Sequence, residues 1–102
     1  EEEEVSTGAL RTVVLADDTT DGQMTVTVTT TANITGTVNL SVQEYMRATN
    51  TYVQVSTDTI SFDNSNSETT TLTGLTSGTI YRVVATYGNG TMTSESAACI
   101  AN

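Results

Sequence analysis

Apolar and polar residues alternate one by one along most of this chain, and no stretch keeps the three-to-four-residue spacing of a helix. A period of two is typical of β-strands that have one buried face and one exposed face. Strands are therefore expected at residues 13–15, 24–29, 38–43, 53–55, 60–62, 70–72, 81–87 and 91–100.

The segments between these stretches are rich in residues that favour turns. Ala16–Gly22 and Ala32–Gly36 are predicted to be turns, and Asp63–Glu68 is predicted to be a polar loop. Gly88-Asn89-Gly90 predicts a hairpin, and the alternation breaks at Glu44, which suggests a bulge. Seven or so short strands separated by turns predict an all-β fold, specifically a seven-stranded Greek-key β-sandwich.

Residues 72–87 resemble a fibronectin type III domain, and more broadly an immunoglobulin-like domain. Leu75 and Tyr81 stand six residues apart with Gly78 and a threonine between them, and alternating apolar residues follow the tyrosine. The resemblance implies a structural corner at Leu75, Gly78 and Tyr81. The tyrosine ring is expected to pack inside while its hydroxyl binds a backbone group upstream.

Composition agrees with this fold and narrows the chemistry. The chain has 24 threonines, which favour strands, and it lacks Pro, Trp, His and Lys. Without His or Lys there is no imidazole acid or base, no usual zinc site and no Schiff-base lysine. We therefore expect a non-enzymatic protein that has no catalytic residues, no metal ligands and no cofactor.

The charge distribution bears on partners and on domain boundaries. The net charge is −9, and Glu1–Glu4 contribute four of the twelve acidic residues. An acidic protein repels phosphate backbones and anionic membranes, so nucleic acid and membrane insertion are not expected. Residues 1–4 are predicted to be a disordered acidic tail, and residues 5–102 are predicted to form one domain.

Three sequons make Asn33, Asn39 and Asn89 candidates for N-glycosylation. About two such motifs are expected by chance in a chain this rich in Ser and Thr, so the argument depends on their predicted exposure. Thr29–Thr31 and Thr69–Thr71 are candidates for O-linked sugars, although β-propensity alone also explains them. The sequence therefore allows for attached glycans.

Oxygen-rich segments and the one cysteine leave further alternatives open. Asp63–Glu68 and the group Asp17, Asp18 and Asp21 offer the oxygen ligands that calcium takes, but an ordinary polar loop explains them equally. Cys99 lies in an apolar run and is predicted to be a small buried residue rather than a reactive or intermolecular thiol.

Edge strands suggest a route to assembly. Many soluble proteins protect such edges with Lys or Pro, and this chain has neither. Met24–Thr31 is uncharged and alternating, and Ser6–Leu15 is lightly charged. Ser6–Leu15 is either the first strand of its own domain or a strand that adds to a neighbouring subunit.

These features favour a non-enzymatic extracellular or cell-surface module that is structural or adhesive. It acts through homo-oligomeric or polymeric contacts, as the repeating subunit of a surface filament assembled by strand addition. One alternative is a ligand-binding module of a larger receptor or adhesin, acting through Asn33–Gly36 and Gly88–Gly90. Another is a virion surface decoration domain.

Overall fold

A computed structural model describes residues 9–100 of the chain, and over these residues it contains six β-strands and no helix. The strands are β1 (Leu10–Asp17), β2 (Met24–Met46), β3 (Thr51–Leu72), β4 (Ile80–Tyr87), β5 (Gly90–Thr93) and β6 (Ala97–Ala98). The prediction of an all-β protein is confirmed. The predicted acidic tail, Glu1–Glu4, and the start of the predicted domain at residue 5 lie outside the described residues.

All strand pairs are antiparallel, and β2 stands at the centre of a single curled sheet. β3 follows one side of β2 along most of its length. The other side of β2 pairs first with β1, over residues 24–30, and then with β4, over residues 39–44. β5 and β6 pair with β4, so the sheet curls into a half-barrel. The seven-stranded Greek-key β-sandwich is not confirmed.

The sheet bends where the register between β2 and β3 breaks, between Thr29 and Thr35. Gly36 has a φ of 144°, a backbone conformation that residues with a side chain rarely adopt. It also lies against the ring of Tyr87. Asn64 on β3 has a φ of 53°, which asparagine tolerates better than most residues. These residues let two long strands turn a corner without ending.

The core lies inside the curl and is built by the predicted alternation. Every second residue of β2 is buried on both sides of the bend, as are the alternate residues of β4. Fully buried side chains include Val26, Leu40 and Val83. The complete apolar core is Leu10, Val13, Leu15, Met24, Val26, Val28, Val38, Leu40, Val42, Ile60, Phe62, Leu72, Tyr81, Val83, Ala85 and Cys99.

The predictions of a turn at Ala32–Gly36 and a loop at Asp63–Glu68 were wrong. Both segments lie within continuous strands, because the bend is absorbed by irregular register instead of by a loop. The predicted last strand, at residues 91–100, is interrupted after Thr93 and divides into β5 and β6. The hairpin at Gly88–Gly90 is confirmed, since Tyr87 pairs with Gly90 across a two-residue turn.

Val53 and Val55 do not join the core, although their alternation predicted a strand with a buried face. Their side chains are 47% and 49% exposed. The register shifts here, since Val42 pairs with Ser56 and Gln43 with Gln54, which leaves Val55 as an extra residue on β3. The predicted bulge is therefore next to Glu44, on the partner strand.

The bend gives the molecule two distinguishable ends. At the bend end, Thr31 donates its backbone N–H to the carbonyl of Ala9, and Gly36 lies against Tyr87. At the opposite end, Leu75 donates its N–H to the carbonyl of Gly22, and the N–H of Ile100 binds the carboxylate of Asp17. These contacts at the two ends hold both halves of β2 over one core.

Candidate functional site

The predicted corner is a set of contacts at the opposite end of the molecule. Tyr81 is 2% exposed, and its hydroxyl oxygen accepts the backbone N–H of Thr76 at 2.9 Å. Leu75 packs against the core, and Gly78 has a φ of 84°, which requires glycine in practice. The backbone N–H of Gly78 also donates to the carbonyl of Cys99. These contacts hold the crossing between β3 and β4 in place, so the role of the corner is structural.

The asparagines of the three sequons are all exposed, as expected from the sequence. Asn33 lies in β2 at the bend, not in a turn, and Asn89 lies in the β4–β5 turn. Asn39 is flanked by Thr59 on β3 and Thr86 on β4.

Asn39 also borders a shallow depression of about 480 Å³ on the outer face of the sheet. Most of the residues that line it have polar side chains, among them Ser41, Gln54 and Asp58. Within it, Ser41 donates its hydroxyl to the side-chain oxygen of Gln54 at 2.6 Å. Hydroxyl, amide and carboxylate groups of this kind can hydrogen-bond water or sugar hydroxyls.

The two oxygen-rich segments do not gather three acidic residues at one point, and no such group exists anywhere in residues 9–100. Asp63–Glu68 lies in a strand, where successive side chains point to opposite faces. The side chain of Ser65 donates to Glu68 at 2.7 Å, and Asp17 accepts the N–H of Ile100. The carboxylates of Glu68 and Asp17 therefore accept hydrogen bonds from a hydroxyl and from a backbone N–H of the protein.

Threonines cover the outer face of the sheet on the β1 side of the bend. Thr27 pairs with both Val14 and Thr69, and its hydroxyl lies 2.8 Å from that of Thr69. Thr12 and Thr29 are likewise joined through their hydroxyls. The candidate O-glycosylation clusters are therefore divided, because alternate residues of Thr29–Thr31 and of Thr69–Thr71 point to opposite faces of their strands.

Cys99 is fully buried and has no disulfide partner. Its backbone N–H donates to the carbonyl of Thr79 at 2.9 Å. The interpretation of Cys99 as a buried apolar residue is confirmed.

A groove at the rim of the core lies between two strand edges that do not pair with each other. β1 and β5 face each other across a groove of about 510 Å³. We call this feature the edge groove; it is lined by Arg11, Thr12, Val13, Val14, Leu15, Met92, Thr93, Glu95 and Ser96. Val13 and Leu15 belong to the core, and Met92 packs against it. The floor of the edge groove is therefore apolar.

β1 and β5 run in the same direction on either side of the edge groove. β1 is antiparallel to the first part of β2, which runs toward the bend end. β5 is antiparallel to β4, which also runs toward the bend end. Both edges therefore run from the bend end to the opposite end, and each leaves backbone N–H and C=O groups facing the groove.

A second surface feature, a cluster of two tyrosines with an arginine and a glutamine, was not predicted from the sequence. Arg82 lies 4.2 Å from the centre of the Tyr52 ring, and its Nε donates to the side-chain oxygen of Gln43 at 2.7 Å. The rings of Tyr45 and Tyr52 stand 5.3 Å apart and are tilted by 56°. Tyr52 also shares a hydroxyl hydrogen bond with Ser96. We call Gln43, Tyr45, Tyr52 and Arg82 the tyrosine cluster.

The tyrosine cluster depends on the register of β2 with β3, where Tyr45 pairs with Tyr52. A hairpin predicted at residues 47–50 would have revealed this pair. Tyr and Arg are common at protein interfaces. Here the guanidinium of Arg82 is already held by one ring and one amide, so the tyrosine cluster stiffens the sheet face near the β2–β3 hairpin.

None of the described residues forms a helix long and apolar enough to cross a membrane. No protein-family model matches the chain, and no curated protein matches it. The fold and its surfaces therefore carry the functional argument alone.

Proposed function

We propose that this chain is a non-enzymatic structural or adhesive module of the extracellular space or cell surface, and the repeating subunit of a filament assembled by strand addition. The observation that supports it best is the edge groove. Two strand edges face an apolar floor in a chain that has neither Lys nor Pro to protect them. A strand added to such an edge satisfies its backbone groups.

We also assign the fold to the fibronectin type III-like or immunoglobulin-like sandwiches. If β2 and β3 are each divided at the bend, the strands form eight segments, or seven without the two-residue β6. One layer then contains β1, the part of β2 before the bend and the part of β3 after the bend. The other contains β4, β5 and the remaining parts of β2 and β3. The Tyr81 hydrogen bond to Thr76 supports the same assignment.

Assembly is tested by electron microscopy of the native material and by sedimentation velocity over a range of concentrations. Filaments with a repeat of a few nanometres, comparable with the 44 Å length of the described domain, are the expected result. A single monomer species at every concentration, with isolated particles in the native material, would refute the proposal.

Attached glycans are part of the proposal, at one or more of Asn33, Asn39 and Asn89. The exposure of all three side chains supports it. Intact mass measurement of protein from its native source is the test, because each glycan adds mass to the bare polypeptide. A mass equal to that of the polypeptide refutes glycosylation and leaves the filament proposal unaffected.

A second candidate is a recognition module of a larger receptor or adhesin. Its supporting observation is that the two segments expected to bind, Asn33–Gly36 and Gly88–Gly90, meet at the bend end, where Gly36 contacts Tyr87. Loops gathered at one end of a sandwich commonly bind ligands. Monomeric native protein that binds a glycan array or cell extract through this end would favour this function over the filament.

A further inference from the structure

We propose that the outer edge of β3, from Ser56 to Phe62, is a docking surface for the same edge of a second copy of this chain, and that Asp58 weakens the contact. The two β3 strands run antiparallel and are related by a two-fold axis at Thr59. A two-fold contact closes after two copies. The inference is therefore separate from the repeating contact proposed for the filament, and it does not depend on that contact.

The outer edge of β3 is the longest unpaired strand edge within residues 9–100. β3 has 22 residues and pairs only with β2 there, so no strand lies on its other side. It contains no Pro, Lys or Arg. An edge of this kind accepts a strand from another chain unless a side chain prevents it.

The backbone groups of Thr57, Thr59 and Ser61 face this open edge. On β4, Val83 donates its N–H to the hydroxyl of Ser94, and its carbonyl accepts the N–H of the same serine. Both groups therefore point toward β5. Successive residues of an antiparallel strand direct these groups to opposite sides, and the observed pairs carry this alternation from β4 through β2 to β3. Residues 56, 58, 60 and 62 of β3 therefore bond to β2, and residues 57, 59 and 61 face outward.

Two irregularities place the centre of this outward-facing segment at Thr59. The bulge at Val55 interrupts the pattern on one side. On the other side, next to the bend, the N–H of Asp63 already donates to the hydroxyl of Ser65 at 3.4 Å. Residues 57, 59 and 61 lie between these points. A strand and its own two-fold copy pair symmetrically about the middle residue.

The exposed side chains of this segment suit a second copy of the same strand. In a pair centred on Thr59, that residue lies opposite itself and Thr57 lies opposite Ser61, so hydroxyls meet on the outer face. A pair of the same kind exists within the sheet, where the hydroxyls of Thr27 and Thr69 lie 2.8 Å apart. The edge therefore complements itself in both its backbone groups and its side chains.

Asp58 opposes this contact in two ways. Its carboxylate accepts the N–H of Thr59 at 2.8 Å, so the backbone donor at the centre of the contact is already occupied. Its side chain leaves β3 on the inner face, because Asp58 pairs with the buried Leu40. In the pair of copies, the two Asp58 residues would lie diagonally across the axis, about 7–8 Å apart. Their charges repel at this distance, and an inward charge on an edge strand hinders pairing.

Disulfide formation by single cysteine variants tests the contact and its centre. Thr59→Cys places a thiol opposite itself with the two Cα atoms about 5.5 Å apart, which suits a disulfide. Thr69→Cys, at an exposed threonine on the part of β3 after the bend, is the matched control. The buried Cys99 is present in every protein, and wild type alone measures its contribution. Under mild oxidation we expect a covalent dimer from Thr59→Cys and only the wild-type background from Thr69→Cys.

Three outcomes of this experiment would overturn the inference. They are equal yields from Thr59→Cys and Thr69→Cys, no dimer above background from Thr59→Cys, and capture by Thr59→Cys of a different protein in an extract of its native source without a homodimer. The filament proposal is judged separately, by electron microscopy of unmodified protein. A dimer without filaments, or filaments without this dimer, therefore shows which of the two proposals has failed.

Two charge variants test the role of Asp58. Asp58→Asn and Glu95→Gln change the net charge equally, but only Asp58 lies on β3. In sedimentation equilibrium, Asp58→Asn should lower the dissociation constant of the dimer about three- to tenfold, because the repulsion across the axis is lost. Glu95→Gln should change this constant less than about twofold, and the difference between the variants should shrink at high salt. Equal constants for Asp58→Asn and Glu95→Gln would contradict the role of Asp58.

Discussion

Replacing Tyr81 by phenylalanine tests whether the corner hydrogen bond stabilises the fold. The ring, 2% exposed, keeps its place in the core, and only the hydroxyl that accepts the Thr76 N–H at 2.9 Å is lost. A hydrogen bond of this kind contributes about 1 kcal/mol net. Thr76 is itself exposed, so water can replace part of the lost contact. We therefore expect the free energy of unfolding to fall by about 0.5–1.5 kcal/mol.

Urea unfolding followed by far-ultraviolet circular dichroism is the appropriate assay, because the chain has no tryptophan. For a loss of about 1 kcal/mol and an m-value of about 1–3 kcal/mol/M, the midpoint should fall by about 0.3–1 M at unchanged slope. The melting temperature should fall by about 4–8 °C. Tyr87→Phe, at a half-buried tyrosine outside the corner, is the control. Equal stability of Tyr81→Phe and wild type, or equal losses in the two variants, would refute the role assigned to the hydroxyl.

Three further substitutions or reactions test the core. Ser94→Ala removes the hydroxyl that accepts a buried β4 N–H at 2.9 Å. Urea unfolding should show that the free energy of unfolding falls by about 1–3 kcal/mol. A loss no larger than that of Ser61→Ala, at an exposed serine, would contradict this hydrogen bond. Leu40→Ala should lower the free energy of unfolding by about 2–5 kcal/mol, because Leu40 is buried. Val55→Ala, at a half-exposed side chain, should lower it by less than about 0.5 kcal/mol. Similar losses in the two variants would contradict the observed bulge. Cys99 should react with iodoacetamide on the order of a hundredfold more slowly in native than in unfolded protein, and rapid native labelling would contradict its burial.

The alternation of side chains predicted the strands but not their continuity. Residues 24–29 and 38–43 alternate in the same sense, with Val26 and Leu40 both buried, and they belong to one strand. The residues between them, which include Asn33 and Gly36, were interpreted as a turn, because Asn and Gly favour turns and are uncommon within strands. Only the pairing of β2 with β3 on both sides of the bend shows that neither strand ends there.

The edge groove and the tyrosine cluster required the tertiary structure. The groove brings Val13 of β1 and Met92 of β5 together from positions far apart in the sequence. Tyr52 and Arg82 meet because β3 and β4 both pair with β2 near Gln43. Local patterns carry no information about which strands become neighbours, and a shift of one residue in register would place these side chains on the other face.

The sequence by itself determined the period of two, the buried Cys99, the exposure of the three sequon asparagines and the hairpin at Gly88–Gly90. Each of these follows from residues close together in the chain, through backbone preference or burial of alternate side chains. The tertiary structure decided that two long strands bend around one core and that β1 pairs with the first part of β2. It also decided that β1 and β5 leave a groove between them. These features depend on long-range pairing, whose free energy comes from contacts between distant segments.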